Sequence, residues 1–307
     1  MPTRPSDATQ DPRTVVGVDG SERATAAALW GAADAEAHRR SLLLVHAADL
    51  DRLDRFASFE TSEHLRDAGN SVLTTAAEEI RKRFPELEVG VKLSRRKPIP
   101  ALHASVRPGS TIVVGSRGTG GFGPLLLGST GLEVVIGSPA PVVVVRGEPE
   151  RENAPVTAAV RDEHDVRWLV RAGREALARE RALRLVNVHS LFARFDGTAR
   201  DETGRAADRG EKLMADLASG IRESAPGLAV ETEVVEARSA ASALVEASRH
   251  ADLLVMGSHE RRGVSVLGLG HVVHALLHHS RCPVEIVPYR RDDESGVVEE
   301  GLRDDEG

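Results

Sequence analysis

Gly115 to Thr130 reads GSRGTGGFGPLLLGST; it follows the apolar run Thr111–Val114 and leads into a helix-like segment, Gly131–Ile136. Strand, glycine-rich loop and helix start, in that order, build an anion site. Glycines accept positive φ and let backbone N–H groups converge on a ligand. The helix that follows adds its unpaired N–H groups and partial positive charge. The stretch is therefore expected to hold the phosphates of a nucleotide. A surface turn that only caps a helix would not need the long spacer between Gly118 and Gly128.

Outward from this stretch, strands and helices alternate. Thr14–Val18 reads as a buried β-branched strand ending in Asp19-Gly20-Ser21, and an alanine-rich helix follows over Glu22–Arg40. Ser41–Ala47 is a second strand, with a polar loop to about Ser58 and a helix over Thr61–Phe84. Leu87–Leu93 is a strand, Pro100–Val106 a short helix, and Pro141–Arg146 the last strand of this half. The frame then begins again. Strands are expected at Val156–Val160, Ala182–Val188, Ala229–Ala237, Asp252–Met256 and Pro283–Val287. Helices fall between them at Asp165–Arg181, Asp201–Ser224, Ala241–Arg249 and Gly270–His279.

Three segments recur in the same order: SLLLVHA from Ser41 with ALRLVNV from Ala182, STIVVGS from Ser110 with DLLVMGS from Asp252, and GSPAPVVVVR from Gly137 with HSRCPVEIVP from His279. Such recurrence marks a tandem duplication. Alternating strands and helices make each copy a doubly wound α/β domain with a parallel-type sheet. The domains are placed at 13–148 and 154–289, between a polar arm at 1–12 and an acidic tail at 290–307, both expected to be disordered.

Composition narrows the class. Hydrophobic residues make up 41% and charged residues 28%, as in a globular chain. Aromatics are only 3%, so the cores must be aliphatic, which suits strands covered on both faces. Most of the net charge of −7 sits in the tail from Arg290, which holds eight acidic and three basic residues. No basic domain or aromatic–basic interleaving points to nucleic acid. No run is long enough to span a membrane, and the polar N-terminus lacks the apolar core of a secretory signal. Cys282 is the only cysteine, so neither an intramolecular disulfide nor a cysteine-based zinc site can form, and a buried thiol is expected. The expected location is cytoplasmic.

The spacing Gly115-x2-Gly118-x9-Gly128-Ser129 stands in register with a strand ending at Asp19, the strand Val45-His46-Ala47 and the run Pro141–Val145. In this combination the chain resembles the universal stress proteins, and the likeness covers both halves. The resemblance implies two tandem five-stranded, mostly parallel sheets with helices on both faces, of the adenine nucleotide alpha hydrolase-like type. It implies ATP, with or without Mg2+, at the C-terminal edge of the strands, where open α/β sheets bind ligands. Carried over, Gly17 and Asp19 lie near the adenosine and the backbone of Ala47 meets the adenine edge. Val114 and Gly115 line the pocket, Gly118 and Gly128 form the phosphate loop, and Ser129 and Thr130 meet phosphate oxygens. Arg117 could add a cation at the loop rim. Family members commonly assemble, so a homodimer is an expected partner, beside protein partners the sequence does not identify.

The chemistry expected here is binding. No Gly-Lys-Ser/Thr triplet occurs, so the lysine and metal-binding hydroxyl of P-loop hydrolases have no counterpart. No base for activating water is evident either, and no catalytic residue or metal site is assigned. The expected role is regulatory stress response with little or no turnover. Two alternatives stand beside it: a slow ATPase or nucleotidyl-transfer enzyme on the same fold, and a protein-interaction module whose pocket stays empty.

The second copy departs from the pattern. Gly257 and Gly270 keep the spacing, but Glu260 stands at the place of Gly118 and His271 at that of Ser129. A carboxylate repels phosphate, and a side chain resists positive φ. The first strand of this copy ends Val160-Arg161-Asp162, leaving either Arg161 or Asp162 opposite Asp19. A degenerate, structural or regulatory second half is expected. His271, His274 and His278 share a helical face, which reads as a polar surface rather than a metal site because no carboxylate or thiol lies at ligand spacing.

Overall fold

Parallel strands form the frame of each of two units, residues 1–145 and 146–307. The structure, a computed structural model, describes residues 11–53, 58–116, 129–146, 153–190, 199–259 and 270–289. Most of the arm, most of the glycine-rich stretch and the acidic tail lie outside these residues.

Unit 1 runs β1 (Arg13–Gly17), α1 (Glu22–Ala37), β2 (Ser41–Ala47), α2 (Leu50–Leu53), α3 (Phe59–Arg83), β3 (Val89–Ser94), α4 (Pro98–His103), β4 (Thr111–Gly115), α5 (Ser129–Glu133) and β5 (Val142–Val145). Its strands lie in the order β3-β2-β1-β4-β5, every pairing parallel. The sequence dictates who sits inside. The continuous apolar runs of β1 and β4 are buried, whereas β3, with Lys92 and a half-exposed Val91, takes the outer edge. Right-handed crossovers place α1 and α3 on one face of the sheet and α4 and α5 on the other.

Helix ends follow local chemistry. The Ser21 side chain accepts a hydrogen bond from the Ala24 N–H at the start of α1, and Ser58 does the same for Thr61 in α3. Each such cap is worth about 1 kcal/mol. Arg81, Lys82 and Arg83 close α3 where cations complement the helix dipole.

Unit 2 repeats the plan with β6 (Val156–Val160), a 3-10 turn (Glu163–Asp165), α6 (Val166–Ala178), β7 (Leu183–Ser190), α7 (Ala199–Ser224), β8 (Val230–Ala237), α8 (Ala240–Ala247), a second 3-10 turn (Ser248–His250), β9 (Leu253–His259), α9 (His271–His279) and β10 (Val284–Tyr289). The strand order is β10-β9-β6-β7-β8, again parallel throughout. Fully buried Glu285 in β10 is matched by Arg171 of α6, 2.9 Å away, which also pairs with Glu175. A buried carboxylate requires such a partner. Each unit holds one tryptophan, Trp30 in α1 and Trp168 in α6, both buried, and Cys282 is buried as expected.

Two local expectations change. The polar loop after β2 contains the turn α2, because Leu50 is 1% exposed and anchors it to the core. The helix after the glycine-rich stretch is shorter and earlier than Gly131–Ile136: α5 ends at Glu133, and Gly137 with φ +65° turns the chain toward β5. Among the described residues, no helix is long and apolar enough to cross a membrane.

Candidate functional site

In unit 1 the strand register assembles a single edge from distant segments. Gly17 pairs with Val45 and Val16 with Val113, so the ends of β1, β2 and β4 lie side by side. Asp19, Ala47, Val114 and Gly115 are thereby brought to the C-terminal edge of three neighbouring strands. The Val18 N–H donates to the Val45 carbonyl at 3.0 Å, and His46 Nδ1 lies 2.9 Å from the Val18 carbonyl. Together they hold the first strand's exit in place.

Asp19 is oriented by the turn it belongs to. Its Oδ1 accepts from the Ser21 N–H at 3.0 Å and from the Ser21 hydroxyl at 2.7 Å. Gly20 between them has φ +83°, a left-handed conformation that glycine adopts without strain. The result is a carboxylate presented at the N-terminus of α1. A carboxylate offers about four lone-pair directions, so it can keep these bonds and still accept from a ligand hydroxyl or amine.

Gly115 is a glycine for a reason the sequence did not reveal. A Cβ there would lie 2.8 Å from the Arg23 carbonyl oxygen and 3.3 Å from the Ala24 nitrogen, inside the first turn of α1. The absent side chain lets the helix start sit against the end of β4. The next residue, Ser116, is 2% exposed, and its hydroxyl accepts a hydrogen bond from Arg23 Nη1 at 3.2 Å. Beside this edge a cleft of about 420 Å³ opens between α1 and α3, next to Val18 and Gly20 and walled by Thr25, Val72, Thr75 and Glu79.

Unit 2 closes the equivalent ground. Thr14 pairs with Leu42 and Thr111, and Val156 pairs with Leu183 and Leu253, the matching residues of the repeated segments. Thr14 thus corresponds to Val156, and the same step along each strand brings Arg161, not Asp162, to the place of Asp19. Asp162 takes the capping role of Ser21 in a turn one residue shorter, accepting from the His164 N–H at 3.1 Å. Arg161 Nε donates to Asp162 at 2.9 Å. Burial is the largest influence and opposes both charges, but that hydrogen bond and the attraction of the neighbouring charged groups together outweigh it, raising the pKa of Arg161 and lowering that of Asp162.

Behind this pair sits Asp165, 4% exposed, accepting from the Arg161 N–H at 2.6 Å, the Trp168 indole at 2.9 Å and the Tyr289 hydroxyl at 3.0 Å. Burial first, then the Asp165 carboxylate, pushes the Tyr289 phenol above its ordinary range. The Trp168 and Tyr289 rings lie directly against Gly257, the counterpart of Gly115. One equivalence survives intact: Asn187 Nδ2 donates to the Val160 carbonyl at 2.9 Å, as His46 engages that of Val18.

Of the residues expected at the site, Gly17, Asp19, Ala47, Val114 and Gly115 gather at one edge. Ser129 and Thr130 open α5. Arg117, Gly118, Gly128 and, in the second copy, Glu260 lie outside the described residues. Sequence reasoning missed Arg23, His46 and the Asp165–Trp168–Tyr289 group. His46 could have been noticed as the one polar residue inside the apolar run of β2. In α9, the His274 and His278 rings stack with centroids 4.3 Å apart.

The family model described as Universal stress protein family matches residues 12–146 and 154–288. A universal stress protein of Mycobacterium tuberculosis is 32% identical over 284 residues, covering 88% of this chain and 95% of that protein. One from Mycolicibacterium smegmatis is 27% identical over 293 residues, covering 89% and 96%. Among solved structures, a universal stress protein from Archaeoglobus fulgidus superposes with a TM-score of 0.64 at 17% identity, covering 90% of this chain and 98% of that one. A putative universal stress protein from Pseudomonas aeruginosa gives 0.57 at 15% identity, covering 92% and 95%.

Proposed function

The chain belongs to the universal stress protein family, and from that premise we propose that it binds one adenine nucleotide, ATP with or without Mg2+, in unit 1. Gly17, Asp19, Ala47, Val114 and Gly115 form the nucleoside side of this site, and Arg117, Gly118, Gly128, Ser129 and Thr130 complete its phosphate side. Asp19 accepts from the ribose or the adenine amine. Bound nucleotide shifts the population of conformers presented to partners rather than feeding a chemical cycle. A cytoplasmic location and a homodimer belong to the same reading.

The observation that carries it is the contrast between the two strand edges. In unit 1 a carboxylate stands beside Gly20 at the exit of β1. In unit 2 the corresponding place is taken by Arg161, tied to Asp162 and backed by Asp165, Trp168 and Tyr289. One nucleotide per chain follows. Calorimetric titration with ATP should give a stoichiometry of one, abolished by Asp19→Ala or Gly128→Trp and unchanged in Glu260→Ala. Two sites per chain, or no binding at millimolar ATP, would refute the reading. ATP turnover well above background that disappears in Gly118→Glu would instead make the protein an enzyme.

A further inference from the structure

We propose that Arg23 is a phosphate-facing residue of the unit 1 site, a cation tethered by Ser116 that makes the site prefer polyphosphorylated nucleotides over nucleosides. The inference rests on the nucleotide reading above and adds a residue to it.

Two independent features single Arg23 out. The first is its position. With Ser21 as N-cap, Arg23 is the second residue of α1, where the helix dipole is positive and a cation is electrostatically unfavourable. Glu22 does not compensate, because adjacent residues on a helix point away from each other. Among the described residues no carboxylate pairs with Arg23. A charge of the wrong sign at a helix start is offset when an anion binds against it.

The second feature is the tether. The Arg23 side chain reaches back from the helix start to the Ser116 hydroxyl, 3.2 Å away, at the point where β4 gives way to the glycine-rich stretch. A single hydrogen bond fixes one nitrogen of the guanidinium and leaves its fork of donors, which suits phosphate oxygens. Ser116 is 2% exposed, so its hydroxyl is a fixed anchor rather than a solvated one. In unit 2 the arrangement is gone. With Asp162 in the place of Ser21, His164 takes that of Arg23, and it lies 3.9 Å from Glu163.

Calorimetric titration of the full-length chain with adenosine, AMP, ADP and ATP tests the assignment, using Arg23→Gln, Arg23→Lys and Ser116→Ala. A charge-assisted contact to phosphate predicts that Arg23→Gln weakens ATP roughly tenfold and leaves adenosine unchanged. Arg23→Lys should recover part of the loss, and Ser116→Ala should fall between wild type and Arg23→Gln. Equal ATP affinity in wild type and Arg23→Gln, or the same fold-loss for adenosine and ATP, overturns the assignment while leaving the nucleotide reading intact. A wild-type chain that binds none of the four overturns both.

Discussion

Replacing Gly115 with alanine adds one methyl group at the most crowded point of the unit 1 edge. That methyl would meet the Arg23 carbonyl oxygen at 2.8 Å and its carbon at 3.0 Å, well inside contact distance. The obstacle is backbone, so no rotamer change relieves it; α1 or β4 must move. Overpacking of this kind costs about 1–3 kcal/mol. Taking about 2 kcal/mol, and 2–4 °C per kcal/mol for a unit of this size, the thermal midpoint of unit 1 should fall by about 4–8 °C. Gly17→Ala on the neighbouring strand is the matched control. Its new methyl would meet only the Leu102 and Val114 side chains, at 3.4 Å and 3.5 Å, which is ordinary contact. That variant should stay within about 0.5 kcal/mol of wild type. Thermal and urea denaturation in a Trp168→Phe background, followed by the fluorescence of Trp30 in the affected helix, reads both. If Gly115→Ala proved as stable as Gly17→Ala, the close packing of the α1 start on β4 would not be the reason for this glycine.

In unit 2, Asp165→Ala strands the Trp168 indole and the Tyr289 hydroxyl; it should cost about 3 kcal/mol in urea denaturation, against about 1 kcal/mol for Tyr289→Phe, which removes one donor and leaves no orphan. Equal costs would deny Asp165 its organising place. The His278 pKa lies below the ordinary histidine value, through burial first and then the neighbouring His274, Arg146 and His279. The unfolded chain therefore takes up that proton more readily, so stability is retained above about pH 6.5 and falls as the pH drops through the folded value. His278→Gln should flatten the decline below about pH 6.5, and an unchanged slope in the variant would assign the effect elsewhere.

Much of the architecture is written in local patterns. The runs Ser41–Ala47 and Val156–Val160 are strands with the expected limits, because unbroken apolar runs bounded by turn residues leave little choice. Three repeated segments were enough to expose the duplication. The rest depends on relations that local pattern cannot express. Whether Arg161 or Asp162 corresponds to Asp19 is decided by strand register and by a turn shortened by one residue, neither of which a gap in an alignment can place. Asp165 and Tyr289 are 124 positions apart, and only the return of β10 beside β9 makes them neighbours. Gly115 was legible as a necessary glycine but not as one required by helix packing. The pattern that marks a ligand loop and the pattern that admits a close helix are the same letter.

The two buried tryptophans, described above only as part of the packing, also equip the molecule with its own optics. The chain has two tryptophans and one tyrosine. Trp30 belongs to the helix that starts at the Asp19 turn, while Trp168 and the lone tyrosine belong to the other half. With Trp168 changed to phenylalanine, emission reports on the first half alone; with Trp30 changed, it reports on the second. A duplicated protein thus permits its halves to be watched separately, without an added label, as each melts or meets a ligand.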